Sequence, residues 1–299
     1  MVPLKDVLKN NPLMMSIAFA CGLLFGGFPE YNSAIINLAL IVMMSVSLCN
    51  LNLRNLELRD HTRSTAMALG LSFALSSVIT IGIAFLFEDP IRSGWIVQAS
   101  VPSAVSVITF SFLLGGDVEN SLISSATIYI ASLLATPVIL LAFIGKAVSP
   151  ITLLSSVGLL IFLPLILSRG VRKASPSPTS QTIMVNLTFF FVIFAVIGSN
   201  RHAFFDDLML IGALLLVSAF RIFFPGLLVE AIGKRWRIDA PRRVNMVLFT
   251  TYKNTGMAAA LAISLVGAEA ALPPAMCTPM EIIWLVVLST LLYPKEGRT

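Results

Sequence analysis

Charged residues are scarce in this chain. Only 12% of its 299 residues are Asp, Glu, Lys or Arg, 57% are hydrophobic, and the mean hydropathy is +0.92. That balance excludes a water-soluble domain of this length, for which about a quarter of the residues would be charged. Cysteine is equally sparse. Cys21, Cys49 and Cys277 follow no disulfide or metal spacing and point to no redox chemistry. The two histidines, His61 and His202, read as loop residues with no carboxylates at metal-ligand spacing. A phosphate-cradling glycine loop, an HExxH pair and a nucleophile elbow are all missing. The hydrophilic segments are too short to hide a catalytic domain, so neither an enzyme nor a cofactor or metal is expected. The net charge of +5 sits in short loops between apolar runs, and nucleic-acid binding is not expected from it.

Long hydrophobic runs, by contrast, recur from end to end. Ten spans are expected, near 12–27, 33–51, 65–87, 94–114, 119–144, 151–168, 182–199, 207–231, 243–266 and 271–293. The fold class is therefore an all-α membrane protein with the lipid bilayer as its solvent. Ala18-Phe19-Ala20 after Lys5 and Lys9 has the look of a signal-peptidase site, but the apolar run continues through Gly22 to Gly27, so the segment is read as retained. With the N-terminus in the cytoplasm, fifteen Lys and Arg fall in inside loops and three (Arg92, Lys146 and Arg201) outside. That excess predicts a multi-pass protein of the cell (inner) membrane with both termini cytoplasmic. The remaining two cations, Arg221 and Lys253, lie within spans.

The chain reads as two five-span repeats, 1–148 and 149–299, with residues 1–168 carrying the first six spans. An odd number of spans per repeat places the two in opposite orientations, an inverted repeat. The only linker-like stretch is Ser168 to Gln181, which contains Ser175-Pro176-Ser177-Pro178.

Two spans are interrupted. Thr250-Thr251-Tyr252-Lys253-Asn254-Thr255-Gly256 breaks an apolar run from Val244 to Val266. A central Lys costs about 2.5–3.5 kcal/mol on insertion scales, so it must face protein or a water-filled cavity. In the matching span of the first half, Gln98 to Ser106 contains Pro102, which removes a backbone donor and breaks or kinks its helix. Broken helices near the midplane are where secondary transporters bind substrates and ions. Near the centres of spans eight and ten lie Arg221 and Glu281. One carboxylate near two cations predicts a bridge to Lys253 or to Arg221, either fixed or competed for by a proton or an anionic substrate. Asn186 is expected to make a helix-packing hydrogen bond.

Val101-Pro102-Ser103-Ala104 through Gly115-Gly116-Asp117, then Ser121, Ser125 and Ala135-Thr136-Pro137, resembles the fourth and fifth helices of the bile acid:sodium symporter family. Asn254-Thr255-Gly256-Met257-Ala258-Ala259-Ala260-Leu261, followed by Ala271-Leu272-Pro273, resembles its ninth and the start of its tenth. Arsenite permeases and auxin-efflux-type carriers share the broader fold of this bile/arsenite/riboflavin transporter superfamily. The resemblance implies a core domain (about 65–144 and 207–293) built on broken, crossing helices four and nine. It implies a panel domain (about 12–51 and 151–199) beside it, and alternating access between the two.

Departures from the family are as informative. Where the family places a Glu and a Gln as sodium ligands on the ninth helix, this chain has Phe249 and Lys253; where it places an Asn on the fourth, the chain has Ser106, Val107 or Ile108. An ammonium in place of a carboxylate makes a poor sodium site on Coulombic grounds. The expected function is secondary active transport of a small organic anion, not coupled to sodium, with Lys253 standing in for the ion and H+ as a possible coupling partner. Freed carbonyls and the hydroxyls of Ser121 and Ser125 would then bind the ammonium. Pro102, Ser103, Ser106, Ser121, Ser125, Arg221, Thr251, Lys253, Asn254, Thr255 and Glu281 form the candidate substrate or ion site. An ion or oxyanion exchanger or efflux permease using Lys253 as its titrating group is the alternative, and a non-transporting membrane subunit is a third reading.

Overall fold

A computed structural model describes residues 3–28, 32–49, 58–145, 151, 155 and 158–294. Its helices are α1 (Leu4–Lys9), α2 (Asn11–Phe25), α3 (Asn32–Leu48), α4 (Leu58–Leu69), α5 (Ser77–Ala84), α6 (Ile91–Ser100), α7 (Ser106–Leu114) and α8 (Val118–Ile144). There follow α9 (Leu163–Ala174), α10 (Pro178–Ser199), α11 (Arg201–Asp206), α12 (Leu208–Arg235), α13 (Ala240–Thr251), α14 (Thr255–Leu265) and α15 (Leu272–Val287). A π-helical stretch, Gly70–Ser76, joins α4 to α5, and others precede α9 and follow α15. No strand occurs among the described residues.

Local chemistry sets the helix starts. Asn10, Asp117, Ser177, Asp207 and Asn254 each accept a backbone N–H of the helix that follows, satisfying one of its orphan donors. Among the described residues, five continuous segments are long and apolar enough to cross a membrane: His61–Ala84, Val118–Ile144, Pro178–Ser199, Leu208–Arg235 and Glu269–Leu292. Leu24, Phe25, Leu86, Leu134, Leu216 and Leu291 project from the helix surfaces, as a lipid-facing exterior requires.

Helices α2, α3, α9 and α10 pack on one another, and α4 to α8 pack with α12 to α15. The two groups meet where α14 touches α3 and α10 and where α15 touches α10. Turns gather at two opposite ends. At one end the Asp117 N–H bonds the Pro241 carbonyl, and the Tyr293 hydroxyl bonds the buried Glu230. At the other, Asn200 Nδ2 bonds the Ala268 carbonyl at 3.0 Å, and Gly27 lies against Gly198.

Two sequence expectations change. Most of the Ser168–Gln181 stretch is helical, and only Ser175, Pro176 and Ser177 separate α9 from α10. A helix that outruns its apolar segment shows polar residues without being a linker, and the true break is Ser175 at φ 46° followed by the capping Ser177. His61 and His202 lie on helices, each 3.7–3.8 Å from one carboxylate, Glu119 and Asp206 respectively. Asn186 makes its packing bonds, accepting from Asn11 Nδ2 and donating to the Leu8 carbonyl, both at 2.9 Å. Residues 152–154, 156 and 157 at the start of the expected sixth span, and the loop cations Arg54, Lys146, Lys295 and Arg298, lie outside the described residues.

Candidate functional site

Both interrupted spans are broken. Between α6 and α7, residues Val101 to Val105 leave the helix, and Val101 is extended (ψ 154°) ahead of Pro102, as a pre-proline residue prefers. Between α13 and α14, Tyr252 to Asn254 do the same. The two gaps lie against each other. Ser103 and Lys253 form an isolated antiparallel bridge, flanked by Asn254 N–H to the Pro102 carbonyl at 2.9 Å and Ala104 N–H to the Tyr252 carbonyl at 3.2 Å.

Breaking a helix inside a membrane frees carbonyls that water cannot satisfy, so each needs a donor from the protein. At and just beyond the end of α6, four of them have it. The Ala99 carbonyl accepts from Ser77 Oγ (2.7 Å) and Lys253 Nζ (3.2 Å), and the Ser100 carbonyl from Thr136 Oγ1 (2.8 Å). Val101 accepts from Lys253 Nζ at 2.9 Å, and Pro102 from the Asn254 amide. The ammonium also lies 3.2 Å from Ser77 Oγ and 4.8 Å from the centre of the Phe73 ring. Lys253 is 1% exposed, so it does not snorkel. Its charge sits at the C-terminal end of a half-helix, where the peptide dipoles leave partial negative charge.

Arg221 treats the other half-helix alike. Its Nη1 donates to the Thr251 carbonyl, the last residue of α13, at 3.2 Å, and its Nε to Thr80 Oγ1 at 3.3 Å. Glu281 pairs with Arg221 rather than Lys253, Oε1 lying 3.8 Å from Nη1. Thr251 Oγ1 accepts from Trp284 Nε1 at 3.2 Å, an approach open because Gly226 carries no side chain: a Cβ there would sit 2.5 Å from Trp284.

Asn254 ties the break to the rest of the bundle. Its Oδ1 caps α14 through Met257 N–H (3.1 Å), while Nδ2 donates to Tyr129 Oη (2.8 Å) and meets Met44 Sδ at 3.0 Å. Thr255 N–H bonds the Lys253 carbonyl at 2.8 Å and opens α14. Gly256 lies beneath Leu40, Met43 and Phe189, and a Cβ would already touch them at 3.3–3.4 Å.

The structure thus brings Pro102, Ser103, Arg221, Thr251, Lys253, Asn254, Thr255 and Glu281 to one crossing. Ser106 starts α7 at its edge, half-buried. Ser121 and Ser125 are not ligands of Lys253. Both hydroxyls are buried on α8 and have no hydrogen-bond partner among the described residues, and the same holds for Ser103 Oγ in the α6–α7 gap. The ammonium instead points at the dipole-rich end of α6, where two carbonyls converge. Ser77 was missed from the sequence, since a serine in an apolar run carries no signal beyond helix packing.

Comparison with curated proteins finds no match. Residues 17–290 match the model of the SBF-like CPA transporter family. With nearly the whole chain inside that match, this integral membrane protein belongs to the SBF-like CPA transporter family, a bile acid:sodium symporter-like family.

Proposed function

We propose that the chain is a secondary active transporter of a small organic anion, working by alternating access and without sodium. The observation that carries this is the lodging of Lys253 Nζ among the Ala99 carbonyl, the Val101 carbonyl and Ser77 Oγ. Converging hard oxygens at a half-helix terminus are what a monovalent cation would bind. Here a tethered cation occupies them, so a dissolved ion is not needed to neutralise the crossing.

Ten crossings in two inverted repeats account for the architecture. Counting each broken pair, α6–α7 and α13–α14, as one span and α9 with its π-helical lead as another gives ten. The bonds across the bridge are reciprocal, each half giving one N–H and one carbonyl, as a two-fold relation demands. The turn contacts at the two ends support this count, since ten crossings would bring those turns to those ends. The helices α2, α3, α9 and α10 would form the panel and the remainder the core. The fifteen-to-three loop charge bias would place the termini in the cytoplasm of the cell membrane.

A second reading makes Lys253 the group that takes up and releases a proton, in an exchanger for ions or oxyanions. It is favoured by the absence of any carboxylate paired with Lys253 among the described residues. Uptake into proteoliposomes, with sodium, pH and substrate gradients imposed separately, tests these readings. Uptake that rises saturably with sodium at constant pH and ionic strength, in Lys253→Ala as in the parent, would refute the tethered-cation mechanism. No transport of any anion under any gradient would leave a non-transporting membrane subunit.

A further inference from the structure

Away from the crossing, a cavity of about 300 Å³ opens between α4, the start of α8 and the α12–α13 turn. Arg63, Arg237 and Arg242 stand on its wall, and Leu71, Met246 and Phe249 line it with hydrocarbon, sulfur and ring. Only Arg242 has a carboxylate partner, Asp239 at 3.4 Å, and among the described residues none pairs with Arg63 or Arg237. Asn120 also lines the cavity. Its Oδ1 accepts from Ser124 at 3.3 Å, while its Nδ2 donates to none of the described residues.

The wall is held in place before any ligand arrives. Arg237 has φ 54°, a left-handed position fixed by its N–H to the Lys234 carbonyl (3.1 Å) and by Ile238 N–H to the Gly233 carbonyl (2.9 Å). Arg243 Nη1 clamps the same turn through the Ile238 carbonyl at 2.6 Å, and Arg243 Nε reaches Glu230 at 3.3 Å. A turn fixed this firmly spares the backbone share of the ordering cost at Arg237, leaving only the rotamer freedom of the exposed arginine side chains to be lost on binding.

We propose that this cavity is a binding site for a small amphipathic carboxylate. The carboxylate lies on Arg63 and Arg237, with the Asn120 amide as a further donor, and the hydrocarbon lies on Leu71, Met246 and Phe249. A bare inorganic anion would leave that apolar part unfilled, whereas buried hydrocarbon contributes about 25 cal/mol per Å². Phe249, one helical turn before Lys253, stands between this chamber and the crossing. The chamber lies among the core helices, and the choice of ligand rests on the transport reading given above.

Trp236 reports on it. It lines the cavity and is 72% exposed, while the other two tryptophans, Trp95 and Trp284, are fully buried. Hexanoate is titrated onto the full chain in phosphatidylcholine nanodiscs while tryptophan emission is followed. The expected result is a saturable change that is lost in Trp236→Phe and absent with hexanol and inorganic phosphate. Arg63→Gln combined with Arg237→Gln should weaken hexanoate roughly tenfold or more at an unchanged unfolding temperature. No response, an equal response to hexanol or phosphate, or unaltered affinity in the double variant overturns the site. So does a response seen only when phosphatidylglycerol is added to the discs, which would mean a lipid headgroup. Hexanoate binding without transport of any anion would leave the site standing and sink the transport reading. Organic-anion transport by a protein whose Trp236 ignores hexanoate would do the reverse.

Discussion

Ser103 and Lys253 face each other across a single antiparallel bridge, each in the gap of a broken helix. From that position the Lys253 side chain turns back to the end of α6 and closes two of its carbonyls. The residue therefore joins the crossing twice, by backbone and by charge.

Lys253→Met, which is one heavy atom shorter and removes the charge, should abolish transport. It strands the Val101 carbonyl, and an unmet buried polar group costs about 1–3 kcal/mol. Thermal unfolding in detergent should show the loss. Lys253→Ala leaves room instead, and ethylammonium should raise its unfolding temperature more than that of the parent. Equal shifts in the two proteins would argue against a cation site at these carbonyls.

Arg221→Met should destabilise by about 3–5 kcal/mol, since it leaves Glu281 as an unpaired buried carboxylate. Adding Glu281→Gln should return part of that loss. A double-mutant cycle on chemical unfolding reads the coupling, expected at about 0.5–3 kcal/mol. Strict additivity would mean that the 3.8 Å pair contributes nothing.

Gly256→Leu should cost about 1–3 kcal/mol by overpacking against Leu40, Met43 and Phe189. Gly256→Ala should be mild, because its Cβ would rest at 3.3–3.4 Å from flexible side-chain ends. Transport should fall in that order, measured as initial uptake at equal protein in the membrane.

Much of this was legible in the sequence. Pro102 and the Thr250–Gly256 cluster announced both breaks, because proline removes a donor and lysine has no place in lipid. What the sequence withheld were the partners. The Ala99 and Val101 carbonyls belong to the backbone and carry no residue signature, so Lys253's true ligands were invisible. Ser121 and Ser125 drew attention by their spacing along one helix face, which says nothing of what that face meets. The choice of Arg221 over Lys253 for Glu281 likewise needed three helices placed at once.

Topology can be read chemically as well. With the native cysteines replaced, Arg235→Cys on the α12–α13 turn should resist an impermeant maleimide in intact cells and react once the membrane is opened. Efficient labelling from outside would reverse the orientation inferred from loop charge.

The seam between α14 and the α3–α10 pair has a mechanical meaning. Leu40, Met43 and Phe189 lie over Gly256, and two directional bonds from α14 and its cap reach α3 among the described residues. These are Asn254 to the Met44 sulfur and a 3.4 Å contact from Ser264 to Asn37. Across the crossing itself, by contrast, sliding would cut backbone hydrogen bonds and pull a charge from its oxygens. The joint is welded and the seam is greased: thioether and ring contacts can be traded for their neighbours a few ångströms along at little enthalpic loss. Motion that carries a substrate past Gly256 would therefore take the four half-helices as one block.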